Sequence, residues 1–195
     1  MSLRVIGGEF RNRPLVAPKG TATRPTLAIM RKAVFDICQS SIDGASFLDL
    51  FAGSGAMGIE ALSRGATFAT FIESNRLAIQ CIQTNLKSLK LEDRADLLMS
   101  DVFVSLKKLA KQGKAFTIIY IDPPYALSSK SALLIELIAF LNRENLLEPL
   151  ATLFIEEAAP QHLDIATIEH NGLKHLNSRT FSQSVLHQFR VQHSK

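Results

Sequence analysis

The sequence predicts an α/β fold in which helices cover both faces of a mostly parallel sheet. One observation is the alternation of short apolar strands with amphipathic helices between residues 46 and 156 of the 195-residue chain. The other is a glycine-rich turn, Gly53-Ser54-Gly55, between the first of these strands and the next helix. Repeated strand-helix-strand units form right-handed crossovers, and these produce parallel strands.

The elements are predicted in order from apolar spacing and turn signals. Short apolar runs predict strands at 46–51, 69–73, 95–99, 116–121 and 153–156, with two further strands at 173–180 and 184–191. Helical spacing predicts a helix from Thr26, one over 56–63, one capped by Ser74, one capped by Asp101 and one over 133–141. This pattern predicts one α/β domain, residues 46–195, after an N-terminal basic extension, residues 1–45.

Positive charge is concentrated at the start of the chain. Residues 1–32 hold seven of the 22 basic side chains and one of the 18 acidic side chains. The remaining residues, with 15 basic and 17 acidic side chains, are close to neutral. The extension is therefore a candidate for phosphate contact, with a solvated basic tail as the alternative.

Composition excludes several classes of protein. Hydrophobic residues make up 47% and charged residues 21%, which excludes intrinsic disorder. No apolar run approaches the roughly 20 residues of a membrane span, and no secretory signal is visible. Cys38 and Cys81 form no paired motif, so a reducing cytoplasm is expected. The five histidines lack metal-ligand spacing, so no metal is expected.

The glycine turn belongs to a nucleotide-binding pattern. Residues 53–58 match G-x-G-x-x-G and open a helix, whose first N–H groups are unpaired. Glu73 lies 20 residues after Gly53, at the end of the next strand, where a carboxylate accepts hydrogen bonds from ribose hydroxyls. These features fit a nicotinamide dinucleotide or another adenosine-containing ligand.

Two aspartates narrow the choice of ligand. Asp49, four residues before Gly53, suits a ligand with a cationic ammonium and no pyrophosphate, as in S-adenosylmethionine. Its alternative role is to brace the loop. Asp101 follows the third strand and could accept a hydrogen bond from an adenine amino group while Val102 packs on the ring. Its alternative role is that of a helix N-cap.

The tetrapeptide Asp122-Pro123-Pro124-Tyr125 follows the fourth strand. Two prolines force an extended, rigid turn, so Asp122 and the Pro123 carbonyl can both face one amino group. Tyr125 supplies a ring that can stack on a base. Fixed acceptors that orient a conjugated amine suit amine methylation, in which positioning and electrostatics supply the catalysis. A purely structural proline turn is the alternative.

Taken together, these motifs resemble those of class I S-adenosylmethionine-dependent methyltransferases, and specifically the RsmD family. The resemblance rests on Arg4-Val5-Ile6-Gly7-Gly8, Thr23-Arg24-Pro25-Thr26, Asp49-Leu50-Phe51-Ala52-Gly53-Ser54-Gly55, the run from Gly58 to Ala66, and Asp122-Pro123-Pro124-Tyr125. It implies a Rossmann-like, seven-stranded, mostly parallel sheet and S-adenosylmethionine as methyl donor. It also implies a monomer that methylates the exocyclic N2 of a guanine in 16S ribosomal RNA of the small subunit.

The residues and the resemblance predict three groups of site residues. The cofactor-binding group is Asp49, Phe51, Gly53, Ser54, Gly55, Glu73, Ser74, Asp101 and Val102. The group at the target base is Asp122, Pro123, Pro124 and Tyr125. The RNA-binding group is Arg11, Arg13, Arg24 and Arg31.

Two other functions remain as alternatives. A DNA adenine N6-methyltransferase would also use the Asp-Pro-Pro-Tyr tetrapeptide. Such enzymes need additional protein segments to recognise a duplex sequence, and this chain has only the short N-terminal extension for that purpose. A nicotinamide-dependent oxidoreductase would share the glycine loop and Glu73, but it explains neither Asp49 nor the proline pair nor the basic extension.

Overall fold

The computed structural model describes residues 3–18, 25–124, 131–159 and 163–192. Within them seven strands form: β1 Ser46–Leu50, β2 Phe68–Ile72, β3 Ala95–Leu98, β4 Phe116–Ile121, β5 Leu147–Ala158, β6 Leu173–Phe181 and β7 Ser184–Val191. The helices are α1 Pro25–Ile37, α2 Ala56–Ser63, α3 Arg76–Leu89, α4 Val102–Lys111, α5 Ser131–Arg143 and α6 Ile165–His170, with a 3₁₀ turn at Glu92–Arg94.

The strands form one seven-stranded sheet in the order β3-β2-β1-β4-β5-β7-β6. The pairs β1–β2, β2–β3 and β4–β5 are parallel, whereas β7 pairs antiparallel with both β5 and β6. The predicted α/β fold with a mostly parallel sheet is therefore confirmed. None of the helices in the described ranges is long and apolar enough to cross a membrane.

The chain divides into two compact units, Met1–Val102 and Phe103–Lys195. The first contains β1 to β3 and α1 to α3, and its core includes Phe35, Phe47 and Phe71, each at most 1% exposed. The second contains β4 to β7, with Phe154 and Phe189 fully buried. The boundary predicted at residue 45 stays a prediction.

Helix α3 is capped by Asn75 and not by Ser74, so that prediction was wrong. The Asn75 side-chain oxygen accepts hydrogen bonds from the backbone N–H groups of Leu77 and Ala78. The Ser74 N–H instead donates to the Glu73 carboxylate. Asparagine and serine are both good caps, so residue type could not decide which of two adjacent positions ends the loop.

Strand β5 is longer than predicted, because it includes the segment around Pro149. The register between β4 and β5 shifts between Phe116 and Ile118, and Leu150 has a φ of 63°. Such an irregularity accommodates a proline that a regular interior ladder would exclude. The short helix α6 and the 3₁₀ turn were not predicted.

A chain of polar side chains crosses β5, β7 and β6 in the second unit. Glu157, 3% exposed, lies 3.0 Å from Nε2 of the fully buried His187. Nδ1 of His187 lies 2.8 Å from the Ser178 hydroxyl, which lies 2.8 Å from Nε2 of His175. These contacts give each buried polar atom a partner. They place His175 and His187 in strands, as expected for histidines without metal-ligand spacing.

Helix α2 packs against β2 at a distance that only glycine allows. A Cβ added at Gly58 would lie 2.3 Å from Cε1 of Phe71. Gly58→Ala is therefore expected to lower the free energy of unfolding by about 1–3 kcal/mol through overpacking. In an open helix, the same change would raise stability by nearly 1 kcal/mol.

Urea unfolding of Gly58→Ala, Phe71→Leu and the double variant tests this packing. We expect the double variant to lose less stability than the sum of the two single losses, because the smaller side chain makes room for the added methyl. Additive losses, or a stabilised Gly58→Ala variant, would contradict the close contact.

Candidate functional site

The loop between β1 and α2 adopts an unusual backbone conformation. Phe51, Gly53 and Gly55 have φ values of 62°, 56° and 76°. This left-handed region is open to glycine but costly for a bulky residue such as Phe51. Such a loop persists only where the surrounding structure holds it, and three side chains outside the loop do so.

Asp49 is the first of these braces. Its side chain is 1% exposed, and Oδ2 accepts a hydrogen bond of 2.9 Å from the Gly58 backbone N–H in the first turn of α2. Burial raises the pKa of Asp49 from 3.8 to about 8; the Gly58 hydrogen bond opposes this shift and the charge of Glu73 adds to it. The bracing role foreseen as an alternative is thus present, and the predicted ligand contact of Asp49 stays a prediction.

Glu73 is the second brace. Oε2 accepts from the Gly53 N–H at 2.8 Å, and Oε1 accepts from the N–H groups of Ser74 and Asn75, each at 2.8 Å. A carboxylate has about four acceptor sites, so one remains for a further donor. The Glu73 side chain is half-buried, which leaves part of it accessible to a ligand.

Asn85 on α3 is the third brace, and it is not among the residues predicted for the site. Its Nδ2 donates to the Ser54 carbonyl and to the Val16 carbonyl, each at 2.9 Å, while Oδ1 accepts from the Val16 N–H at 2.7 Å. The residue is 1% exposed. One buried amide therefore joins the glycine loop to the N-terminal segment. An asparagine at a buried position of an amphipathic helix was the available signal.

The carboxyl ends of β1, β2 and β3 meet at one edge. The Ala52 N–H donates to the Ile72 carbonyl at 3.0 Å, and the Glu73 N–H donates to the Leu98 carbonyl at 3.1 Å. Beyond the third strand, Asp101 is exposed and Val102 is 6% exposed at the start of α4. Ligands of open α/β sheets bind at such an edge.

The predicted tetrapeptide follows the end of β4 in the second unit. Asp122 is half-buried, Pro123 is buried and Pro124 is exposed, while Tyr125 lies outside the described residues. One position before the end of β4, the Tyr120 hydroxyl donates a 2.5 Å hydrogen bond to Oε2 of Glu156 on β5. Both partners are buried, so this bond fixes the two strand ends that precede the turn.

The N-terminal segment is folded onto α2 through Glu60. Its carboxylate, 1% exposed, accepts from the N–H groups of Ile6 and Gly7 at 2.8 and 2.7 Å and from Nε of Arg64 at 2.8 Å. Arg31 is the other cation at this carboxylate, with Nε 3.6 Å from Oε2. Glu60 thus ties the basic segment to the helix that follows the glycine loop.

The predicted RNA-binding arginines fall into different environments. Arg11 and Arg13 are exposed. Arg24 lies outside the described residues. Arg31 is 4% exposed, and its guanidinium also donates to the Arg4 carbonyl at 2.6 Å. In this structure the Arg31 guanidinium therefore anchors the N-terminal segment, and its predicted RNA contact stays a prediction.

Burial disfavours the reactive, ionised form of both cysteines. Cys38 and Cys81 are both buried, and burial raises the pKa of Cys38 to about 12 and that of Cys81 above its ordinary value. Neither thiol is therefore ionised at neutral pH. In the part of the chain that the structure describes, no group of three or more histidine, cysteine, aspartate or glutamate side chains could hold a metal ion.

Comparisons with known proteins agree with this geometry. The family model described as Conserved hypothetical protein 95 matches residues 3–190. Ribosomal RNA small subunit methyltransferase D of Escherichia coli (strain K12) is 37% identical over 154 residues, 79% of this chain and 74% of that protein. YlbH of Bacillus subtilis (strain 168), named as an rRNA methyltransferase candidate, is 42% identical over 132 residues, 68% of this chain and 72% of that protein.

Among solved structures, the methyltransferase candidate yhhF from Escherichia coli superposes with a TM-score of 0.81 and 29% identity, covering 100% of both chains. The Thermus protein TTHA0928 superposes with a TM-score of 0.78 and 27% identity, covering 97% of this chain and 99% of that one. The described part of the chain therefore shares its fold with these proteins.

Asn85→Ala tests the third brace. Because it leaves the polar backbone groups of Val16 and Ser54 without their side-chain partner, we expect the free energy of unfolding to fall by about 2 kcal/mol. The matched control is Gln80→Ala, an exposed position on the same helix, which should change stability by less than about 0.5 kcal/mol. Equal stabilities of the two variants in urea unfolding would remove Asn85 from the bracing of the loop.

Proposed function

Because the chain belongs to the family of conserved hypothetical protein 95, the RsmD family, we propose that it transfers a methyl group from S-adenosylmethionine to the exocyclic N2 of a guanine in 16S ribosomal RNA. The observation that carries the proposal is the braced glycine loop at the carboxyl ends of β1 to β3. The relatives named for methylation of small-subunit ribosomal RNA support the substrate class.

The first unit offers the features that S-adenosylmethionine requires. A Cβ built at Gly53 meets no heavy atom within 4 Å among the described residues, so the loop backbone borders open space that a ligand can fill. In this proposal Asp49 pairs with the ammonium of the methionine part and Glu73 accepts from the ribose hydroxyls. Asp101 accepts from the adenine amino group and Val102 packs on the ring. When bound, the cofactor supplies an electrophilic methyl group on a sulfonium.

The proposed cofactor site is completed by residues of the loops that follow β1 and β2. These residues are Phe51, Ser54 and Gly55 after β1, and Ser74 after β2. The buried Asp49 beside the start of α2 also fits an ammonium better than a pyrophosphate, because a nearby cation favours ionisation of this carboxyl and a nearby anion opposes it. A nicotinamide-dependent oxidoreductase is thus disfavoured by this residue as well as by the relatives.

The second unit supplies the proposed acceptor site. The amine of guanine is a poor nucleophile because its lone pair is conjugated into the ring. Asp122 and the Pro123 carbonyl accept hydrogen bonds from its two protons, which favours rehybridisation and directs the lone pair. Pro124 keeps the turn rigid and Tyr125 stacks on the base. Methylation leaves one proton in excess on the amine, and this proton passes to Asp122 or to water.

RNA is held in this proposal by the exposed cations of the N-terminal segment, Arg11 and Arg13, and by Arg24. The target guanine must leave its stack to reach the tetrapeptide, at lower cost from a loop than from a duplex. Because Glu60 and Asn85 bond backbone groups on either side of Arg11 and Arg13, these two arginines are presented on a fixed backbone.

Asp122→Ala tests the reaction. Loss of the acceptor carboxylate should lower the turnover number by at least about 100-fold, since positioned acid–base and electrostatic groups contribute on that scale. The affinity for S-adenosylmethionine should stay nearly unchanged. Turnover is measured as transfer of labelled methyl to small subunits from a strain that lacks the enzyme, and affinity by calorimetric titration.

The control is Asp93→Ala, an exposed aspartate in the 3₁₀ turn, which should behave as the wild-type protein does. Full turnover by Asp122→Ala would refute the assignment of the tetrapeptide. Mass mapping of the product RNA identifies the methylated atom. A methyl group on an adenine, or a titration in which the protein binds NAD and not S-adenosylmethionine, would refute the proposed function itself.

The raised pKa of Asp49 predicts a pH dependence of cofactor binding. Below about pH 8 the ligand-free protein holds this carboxyl protonated, and pairing with an ammonium requires that it lose the proton. We expect the affinity for S-adenosylmethionine to rise between about pH 6 and 8, with proton release seen as a buffer-dependent binding enthalpy. Asp49→Asn should bind more weakly and lose this pH dependence.

The raised pKa of Asp49 also predicts how the stability of the ligand-free protein depends on pH. An acid whose pKa is higher in the folded than in the unfolded chain stabilises the fold most below the unfolded pKa, near 3.8. This contribution is lost as the pH rises toward about 8. The free energy of unfolding of the wild-type protein should therefore fall relative to that of Asp49→Asn over that pH range. Urea unfolding at several pH values measures both. If the two free energies change in parallel with pH, the raised pKa of Asp49 is contradicted.

A further inference from the structure

The antiparallel strands β6 and β7 carry a group of cations on one face of the sheet. Lys174 is the direct partner of Arg190 in the strand register, and Arg179 is the direct partner of Leu186. Directly opposed residues point to the same face, as do alternate residues along one strand. Since Leu186 and Arg190 are four residues apart on β7, all three cations point to one face.

Two amides lie between these cations. Asn177 is paired with Gln188, which alternates with Leu186 and Arg190 on β7. We name the surface formed by Lys174, Asn177, Arg179, Gln188 and Arg190 the hairpin basic face. The polar chain of His175, Ser178 and His187 belongs to the opposite face, as their direct hydrogen bonds require.

The cations of the hairpin basic face are exposed. Lys174, Arg179 and Arg190 are each exposed, and no ion pair involves any of them within the ranges that the structure describes. Lys174 and Arg190 stand directly across from each other, an arrangement of like charges that destabilises a sheet. Edge protection against strand pairing would explain a lysine on β6, the last strand of the sheet, but not Arg190 on β7, which is paired on both sides.

We propose that the hairpin basic face binds the sugar-phosphate backbone of ribosomal RNA as a second contact in addition to the N-terminal segment. This inference rests on the proposed function for its substrate class. Lys174 and Arg179 are five positions apart on β6. This is a span of about 15 Å, which exceeds the reach of a single phosphate. The amides of Asn177 and Gln188 add hydrogen-bond donors for phosphate and sugar oxygens.

An RNA backbone fits this surface better than an acidic protein does. Protein interfaces bury an apolar or aromatic centre inside a polar rim. The hairpin basic face presents cations and amides, and the apolar Leu186, which points to the same face of the sheet opposite Arg179, is buried at 2% exposure. Phosphate contacts, in contrast, require only charge and donors at the spacing that the strands provide.

The test compares two triple variants of the full chain with equal loss of charge. The first is Lys174→Gln, Arg179→Gln and Arg190→Gln together. The matched control is Lys107→Gln, Lys108→Gln and Lys111→Gln, three exposed lysines on α4 in the same unit. Binding to a 16S ribosomal RNA transcript and to small subunits that lack the methyl group is measured over a series of salt concentrations.

The hairpin variant is expected to bind RNA at least about tenfold more weakly at low salt, and its slope of log affinity against log salt should fall by about 2. The control should retain a slope close to that of the wild-type protein. A variant that preserves charge, with Lys174→Arg, Arg179→Lys and Arg190→Lys, should retain the wild-type slope, which separates loss of charge from damage to the hairpin. All variants should bind S-adenosylmethionine equally.

Three results would overturn the inference. One is an unchanged affinity and slope of the hairpin variant, and another is an equal loss in the α4 control, which would indicate net charge alone. The third is a loss seen on small subunits but not on the transcript, which would assign the surface to a ribosomal protein. Failure of the proposed function is distinguished by the wild-type protein, which would then transfer no methyl group to either substrate.

Discussion

The candidate site depends on one constraint: the backbone between β1 and α2 must be held in a left-handed conformation at three of five successive positions. Phe51 is costly there, and neither glycine has an intrinsic preference for a single conformation. The buried carboxyl of Asp49, the carboxylate of Glu73 and the amide of Asn85 each fix a different backbone group of this loop or of the helix after it. The open space beside Gly53 exists because these side chains hold the backbone around it.

The same polar contacts extend from the loop to the N-terminal segment. Asn85 bonds both Ser54 and Val16, and Glu60, on the helix that the loop opens, bonds Ile6 and Gly7. Val16 is 50% exposed, so its position is fixed by hydrogen bonds and not by apolar burial. The segment that carries Arg11 and Arg13 is thereby joined to the proposed cofactor loop by buried polar side chains.

The second unit uses buried polar groups in the same way at the ends of its strands. Tyr120 and Glu156 join β4 to β5 just before the proline turn, and Glu157 and His187 join β5 to β7 on the other face. Buried polar groups are costly unless they are paired. Here each pair links two neighbouring strands and helps to fix their register. One face of β6 and β7 thus completes an internal network while the other presents cations to solvent.

The sequence by itself determined the alternation of strands and helices, the position of the glycine loop and the acids at successive strand ends, because apolar periodicity and turn chemistry are local properties. It also identified the family through short motifs. Only the tertiary structure decided that Arg31 is buried at Glu60, that Asn85 bonds two distant segments, and that Lys174, Arg179 and Arg190 share a face. Burial, long-range hydrogen bonds and strand register arise from contacts between segments far apart in the chain, and no local pattern of residues specifies them.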